Sequence, residues 1–261
     1  MTLHVVYRAA PVGNKRPRPP GFSKWSCLLS FLRAAEACPG ATLHFVSDGP
    51  VPEAACDVMS TFGSLDRLAG IGNSGSYRHA LSRMAQADED PEVVGYLCED
   101  DYLHHPDALR VLEAIGPHLT LGTYVTLYDH PDRYRRDDDL RTLGRPVEFW
   151  DGRHWGAVES TAMTFGTSMA TFRADQPLLD LAARFTRYPH DRAIWRTLQG
   201  LGLCRPVTWA RSPRRRLLSA LPGLATHMET DALGPGTDWA AVACQARRWA
   251  AERSLPGIEG W

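Results

Sequence analysis

The sequence lacks the marks of several common function classes. Its six cysteines, Cys27, Cys38, Cys56, Cys98, Cys204 and Cys244, contain no C-x-x-C pair. That removes the usual spacing of a zinc site or dithiol redox centre and fits reduced thiols. Neither sign of charge dominates: 29 basic and 30 acidic residues leave a formal net charge of -1, so bulk electrostatics gives no case for nucleic acid as partner. No apolar run approaches the roughly 20 residues of a membrane span, and MTLHVVYRAAP is too short in its apolar stretch for a secretion signal. The expectation is a cytoplasmic protein. There is no G-x-S-x-G elbow of a serine hydrolase, no internal repeat, and no Ser/Gly or charge-only linker. What is present is globular composition, 44% hydrophobic and 23% charged over 261 residues, enough for one large core.

Strand signals alternate with helix signals through the first half. LHVVY (3–7) reads as a buried strand, SKWSCLLSFLRAAEA as a helix capped by Ser23, and ATLHFVSDGP as a second strand ending in turn residues. PEAACDVMSTF, a glycine-rich turn leading into a helix near Ser76, the strand EVVGYLC and the helix PDALRVLEAIG follow, then the strand TYVTLY. This order predicts a single α/β domain with a Rossmann-like, mostly parallel central sheet flanked by helices. After residue 129 the pattern loosens. A charged loop (129–146) precedes strands expected in VEFWDG and GAVESTAMTFGTSMATFR, helices in QPLLDLAARF and DRAIWRTLQGLG, and a strand in LCRPVTWA. Residues 211–236 show no period, and a final helix is expected in DWAAVACQARRWAAERS.

The stretch GYLCEDDYLHHPDAL (95–109) places Glu99, Asp100 and Asp101 where the strand EVVGYLC ends. In doubly wound sheets ligands sit beyond the carboxyl ends of strands. Strand alternation turns Glu99 and Asp101 to one side and Asp100 to the other. Hard cations such as magnesium and manganese take one or two such carboxylates together with substrate phosphates. The competing reading is an acidic turn ahead of the helix that opens at Pro106.

In four places the sequence resembles the GT-A fold glycosyltransferases, in particular the family-2-like inverting enzymes: VVYRA at the start, VSDGP after the second strand, GNSGSYRHAL ahead of VGYLCEDDYLHHPDAL, and PHDRAIWRTL followed by LATHMETDALGP. The likeness is good over residues 1–115 and looser beyond. Glu-Asp-Asp stands where those enzymes carry an Asp-x-Asp motif. The resemblance implies a GT-A-like domain with a donor-binding half (1–115) and an acceptor-binding half with the C-terminal segment (116–261). It further implies a hexosyltransferase-like enzyme that moves a sugar from a UDP- or GDP-linked donor to an acceptor hydroxyl with inversion, using Mn2+ or Mg2+. Asp101, Glu99 and His227 would hold the metal; Asp100 and Glu99 would meet ribose or metal-bound water. Arg8, Asp48, Asn73, Ser74, Gly75 and Arg78 would contact the nucleotide sugar, with Gly72 and Gly75 permitting close backbone approach. Asp191 would be the base, His190 its reserve; in a retaining enzyme Glu159 would matter instead. Trp150, His154 and Trp155 would offer faces to the acceptor. His104 and His105 read as supporting or exposed. The basic run with Arg211, Arg214, Arg215 and Arg216 reads as solvated, as closing over the diphosphate, or as touching anionic lipid at a peripheral membrane contact.

Two other readings stand beside this one. A nucleotidyltransferase would need a glycine-rich, basic first loop for a triphosphate, and RAAPVGNKRPRPPG has the basic residues but much proline. A non-catalytic nucleotide-sugar-binding module would keep the fold without turnover.

Overall fold

In the computed structural model, residues 3–11, 16–119, 122–134, 146–184, 190–201, 214–258 and 261 are described. The strand β1 (Leu3–Ala9) is buried along its whole length, as a β-branched apolar run inside a parallel sheet requires. Its neighbours are β2 (Thr42–Asp48) and β4 (Val94–Glu99), both parallel to it; in this register Arg8 lies opposite Val46 on one side and Glu99 on the other. The remaining strands of this sheet are β3 (Ser64–Leu68), β6 (Thr123–Thr126), β7 (Val147–Trp150), β8 (Arg153–Ala157), β9 (Phe165–Ser168) and β10 (Arg216–Leu221). The order is β3-β2-β1-β4-β9-β6-β10-β8-β7. Only β8 and β9 run against the others, so the sheet is mostly parallel, with β9 wedged between β4 and β6.

Helices cover both faces. On one side α1 (Lys24–Glu36), α2 (Glu53–Phe62), α4 (Ala108–Ala114) and α7 (Trp239–Glu252) bury Leu28, Phe31, Met59, Leu109, Leu112 and Trp249 against Leu3, Val5 and Tyr7. On the other, α3 (Gly72–Gln86), α5 (Met169–Arg184) and α6 (Asp191–Leu198) set Tyr77, Leu81, Phe172, Leu179 and Trp195 against Val6 and Val46. The alternation of β1 thus feeds two cores. Ser23 caps α1 as expected, its Oγ accepting from Ser26 N at 2.9 Å.

Two stretches depart from the sequence reading. The segment expected as one strand through residue 173 gives up its strand at Ser168; α5 begins at Met169 and runs through Pro177. Its buried Met169, Phe172, Leu179 and Ala183 recur at helical spacing, which the Thr- and Met-rich composition conceals. Residues 216–221, without a discernible period, form β10 inside the sheet; four consecutive buried residues leave no alternation to read. The strand expected in 203–210 lies outside the described residues. Among those described, no helix is long and apolar enough to cross a membrane.

A separate two-stranded sheet pairs β5 (Tyr102–His104) antiparallel with β11 (Ala225–His227), setting Tyr102 opposite His227. This pairing carries a late histidine to the acidic triplet.

Candidate functional site

Each of the three adjacent carboxylates has its own cation. Glu99 accepts a short hydrogen bond from Arg8 Nη2, because in-register neighbours of a sheet project to the same face. Arg8 is 6% exposed, and its Nη1 also donates to Ser76 Oγ at 3.0 Å and, at 3.4 Å, to the Asn73 carbonyl. Asp100 turns the other way into the protein. Its Oδ2 accepts from Ala10 N at 2.6 Å and from Lys24 Nζ at 2.7 Å, while Lys24 also donates to the Ala10 carbonyl. Asp101 faces His227, with 3.1 Å between Oδ2 and Nε2, and has Arg18 Nη2 at 3.5 Å. Glu229 stands behind His227, its Oε1 3.6 Å from Nδ1, and pairs with Arg16 at 3.0 Å.

Burial pushes the Glu99 and Asp100 carboxyls up, opposed by Arg8 and Lys24 respectively. It acts in the same sense on Asp101, but there His227 and Arg18 prevail and hold the carboxyl well below its usual range. For His227 burial works downward, and Asp101 and Glu229 outweigh it to lift the imidazole above its ordinary value. Asp101 and His227 thus each favour the other's charged form.

The donor chemistry fits a sparsely ligated divalent ion. Magnesium binds oxygen at about 2.0–2.1 Å, so adjacent octahedral ligands lie about 3 Å apart, and Asp101 Oδ2 to His227 Nε2 is 3.1 Å. Imidazole suits manganese, and a carboxylate near its other nitrogen, here Glu229 at 3.6 Å, is of the kind that supports a ligating histidine. Glu99, expected as a further ligand, is committed to Arg8 instead. Among the described residues no three His, Cys, Asp or Glu side chains form a metal-binding group, so the protein would supply a pair, with substrate phosphates and water completing the shell.

Several other expected contacts take different partners. Both Asp48 oxygens accept from backbone, Ile71 N at 2.7 Å and Gly72 N at 2.9 Å; Asp48 latches the end of β2 to the start of α3. Asn73 and Ser74 lie in the first turn of α3, whereas Gly75 and Arg78 line its side toward α5, with Arg78 Nε donating to Asp180 at 2.7 Å. Trp155 is fully buried, and Trp150 is buried against His118, the rings stacked at 5.1 Å; neither presents a face to an acceptor. His154 is exposed beside Phe149. Glu159 pairs with Arg196 at 3.1 Å. His104 is buried against Tyr96 OH at 3.0 Å and pushed down to about 4 by desolvation, a core role. The basic run divides: Arg214 and Arg216 are exposed, Arg216 pairing with Glu148, whereas Arg215 is buried and makes two 2.7 Å bonds to Asp175. Arg211 and residues 135–145 of the charged loop lie outside the described residues.

Asp191 begins α6, and burial pushes its carboxyl up, tempered by the Arg192 amide, His190 and Arg16. Arg16 thereby links Asp191 electrostatically to Glu229. Arg16, Arg18, Lys24, Ser76 and Glu229 are the members that sequence reasoning missed. The first three sit in or beside a proline-rich loop with no period to expose them; their charge was the only available signal.

No protein-family model and no curated protein matches the chain. Solved structures with a related layout include 4-diphosphocytidyl-2C-methyl-D-erythritol synthase from Anaerococcus prevotii, 10% identical, covering 95% of this chain and 96% of that one with a TM-score of 0.44. Another is CMP:2-keto-3-deoxy-manno-octonic acid synthetase complexed with CTP, 13% identical, covering 97% and 99% with a TM-score of 0.44. At these values the likeness concerns the course of the chain and assigns no activity.

Proposed function

We propose that this chain is a nucleotide-dependent transferase whose donor lies across the carboxyl ends of β1 and β4. The single observation that carries this reading is the convergence of Asp101 and His227, from opposite halves of the sequence, at 3.1 Å. Strand ends of this sheet type are where ligands bind, and the pair suits a magnesium or manganese ion that would neutralise donor phosphates. In this reading residues 1–115 supply Arg8, Arg16, Arg18 and the triplet, while residues 116–261 add His227, Glu229 and Asp191.

The finer reading is glycosyl transfer from a UDP- or GDP-linked sugar to an acceptor hydroxyl. Asp191 supports it: a carboxylate raised by burial is a stronger base for the hydroxyl proton, a contribution of about 10²–10⁴-fold. Nucleotidyl transfer is the second reading, favoured by one specific observation. The segment after β1 gathers Arg16, Arg18 and Lys24 around the carboxylates, and such cations suit a triphosphate.

Thermal shift with a panel of nucleoside di- and triphosphates, with and without manganese, tests the shared reading, because ligands of the native state raise apparent stability. Manganese is expected to tighten nucleotide binding at least tenfold in the parent and not in Asp101→Asn. Nucleotide binding that ignores both metal and Asp101 would refute it. Release of nucleoside diphosphate against release of pyrophosphate then separates the two chemistries.

A further inference from the structure

Away from the carboxylate site, α3 and α5 pack side by side and leave a groove of about 430 Å³ between them. Four residues of one face of α3 line it, Gly75, Arg78, His79 and Ser82, opposite Gln176, Pro177, Asp180 and Arg184 of α5. The spacing on each helix is that of a single stripe facing the groove. Gly75 and Ser82 are small, so the two helices approach without filling the space between them.

The charge arrangement is unusual for a helix contact. Asp180 is buried, and both of its oxygens are occupied: Oδ1 accepts from Arg78 Nε at 2.7 Å, and Oδ2 accepts from Arg184 Nη2 at 2.8 Å and Nε at 3.2 Å. One carboxylate therefore neutralises one of two guanidiniums and fixes the orientation of both. Arg78 uses only its Nε on Asp180, so its Nη groups, with Nη1 of Arg184, have no protein acceptor among the described residues. His79 is occupied by Asp66 at 2.8 Å, leaving the Ser82 hydroxyl and the Gln176 amide as neutral groups beside the arginines.

We infer that this groove binds the phosphate group of a small phosphorylated molecule. Guanidinium forks match phosphate oxygens in bidentate geometry, and a pair already oriented by a buried carboxylate loses less freedom on binding than two free side chains. A lone phosphate does not need this volume, which falls in the range of small-molecule pockets. The lining is polar, so the remainder of the ligand is hydrophilic, as in a sugar phosphate. The site uses none of the groups at Asp101 and stands or falls independently of the transferase reading.

Calorimetric titration at constant ionic strength, without divalent metal, tests it with inorganic phosphate and glucose 6-phosphate as probes. Saturable binding of at least one probe is expected in the parent and in Asp101→Asn, with at least a tenfold loss in Arg184→Gln, which leaves Asp180 paired with Arg78. Ser82→Ala, a smaller perturbation, keeps the measurement informative should Arg184→Gln prove unstable; a loss of two- to fivefold is expected. Glucose 6-phosphate binding more tightly than inorganic phosphate identifies a phosphorylated metabolite as the source, and equal affinities identify the free anion; either supports the site. Absence of saturation, or Arg184→Gln and Ser82→Ala both binding like the parent, overturns it.

Discussion

Replacing Lys24 with methionine isolates the device that splits the acidic triplet. Lys24 is 5% exposed and Asp100 7%, and they meet at 2.7 Å. Methionine keeps the length and apolar stem of lysine while removing the ammonium. Asp100 then retains only the Ala10 amide and becomes a buried carboxylate without a counter-charge. Deleting one partner of a buried pair costs about 3–5 kcal/mol, a large share of the roughly 5–15 kcal/mol by which domains are stable. At about 2–4 °C per kcal/mol for a chain near this size, the melting temperature should fall by roughly 6–20 °C. Urea unfolding at pH 7 provides the free energy directly. The deficit should narrow as pH falls from 7 toward 4: burial already raises the Asp100 carboxyl, losing Lys24 raises it further, and a folded-state acid above its unfolded value gains stability on acidification. Adding Asp100→Asn, whose amide oxygen can still accept from Ala10, should recover about 2–3 kcal/mol, within the range of coupled neighbours. A loss below about 1 kcal/mol for Lys24→Met, or no recovery in the double variant, would show that the pair does not hold the turn.

Other outcomes follow from the same geometry. Asp191→Asn should lower turnover by about 10²–10⁴-fold if it is the base, with nucleotide binding by calorimetry unchanged; unaltered turnover would remove it from the chemistry. Trp155→Ala should cost about 3–5 kcal/mol of stability as a core truncation, whereas His154→Ala should leave urea unfolding within about 0.5 kcal/mol, and equal effects would contradict the burial described. Glu36 is held below its ordinary value chiefly by the Trp249 indole; burial opposes this, and Arg253 adds to the lowering. This clamp between α1 and α7 is present above about pH 4.5 and lost as pH falls through the lower folded value, so Glu36→Gln should flatten the acid limb of a stability–pH curve, and an unchanged limb would refute that assignment.

The sequence exposes the parts of this molecule governed by short-range rules. β1, β2 and β4, the Ser23 cap and the final helix were readable because apolar spacing and capping are local. β3 was not: SLDRL is half-exposed at a sheet edge and carries little apolar signal. At the site, the triplet and His227 could be singled out by residue type, and alternation gave Asp100 its separate direction. Which cation meets which carboxylate could not be read, since Arg18 and Lys24 approach through a proline-rich connection whose path is set by tertiary contacts. The tryptophans illustrate the converse: an aromatic near a charged loop reads as a sugar platform, but Trp155 completes the core instead.

The short ribbon joining Leu103 to Thr226 has a kinetic consequence. Contacts between distant parts of a chain form only after loop closure has been overcome, so joining the histidine to its carboxylate partner carries the cost of closing a long loop. Assembly of the cation seat therefore reports that distant parts of the molecule have met.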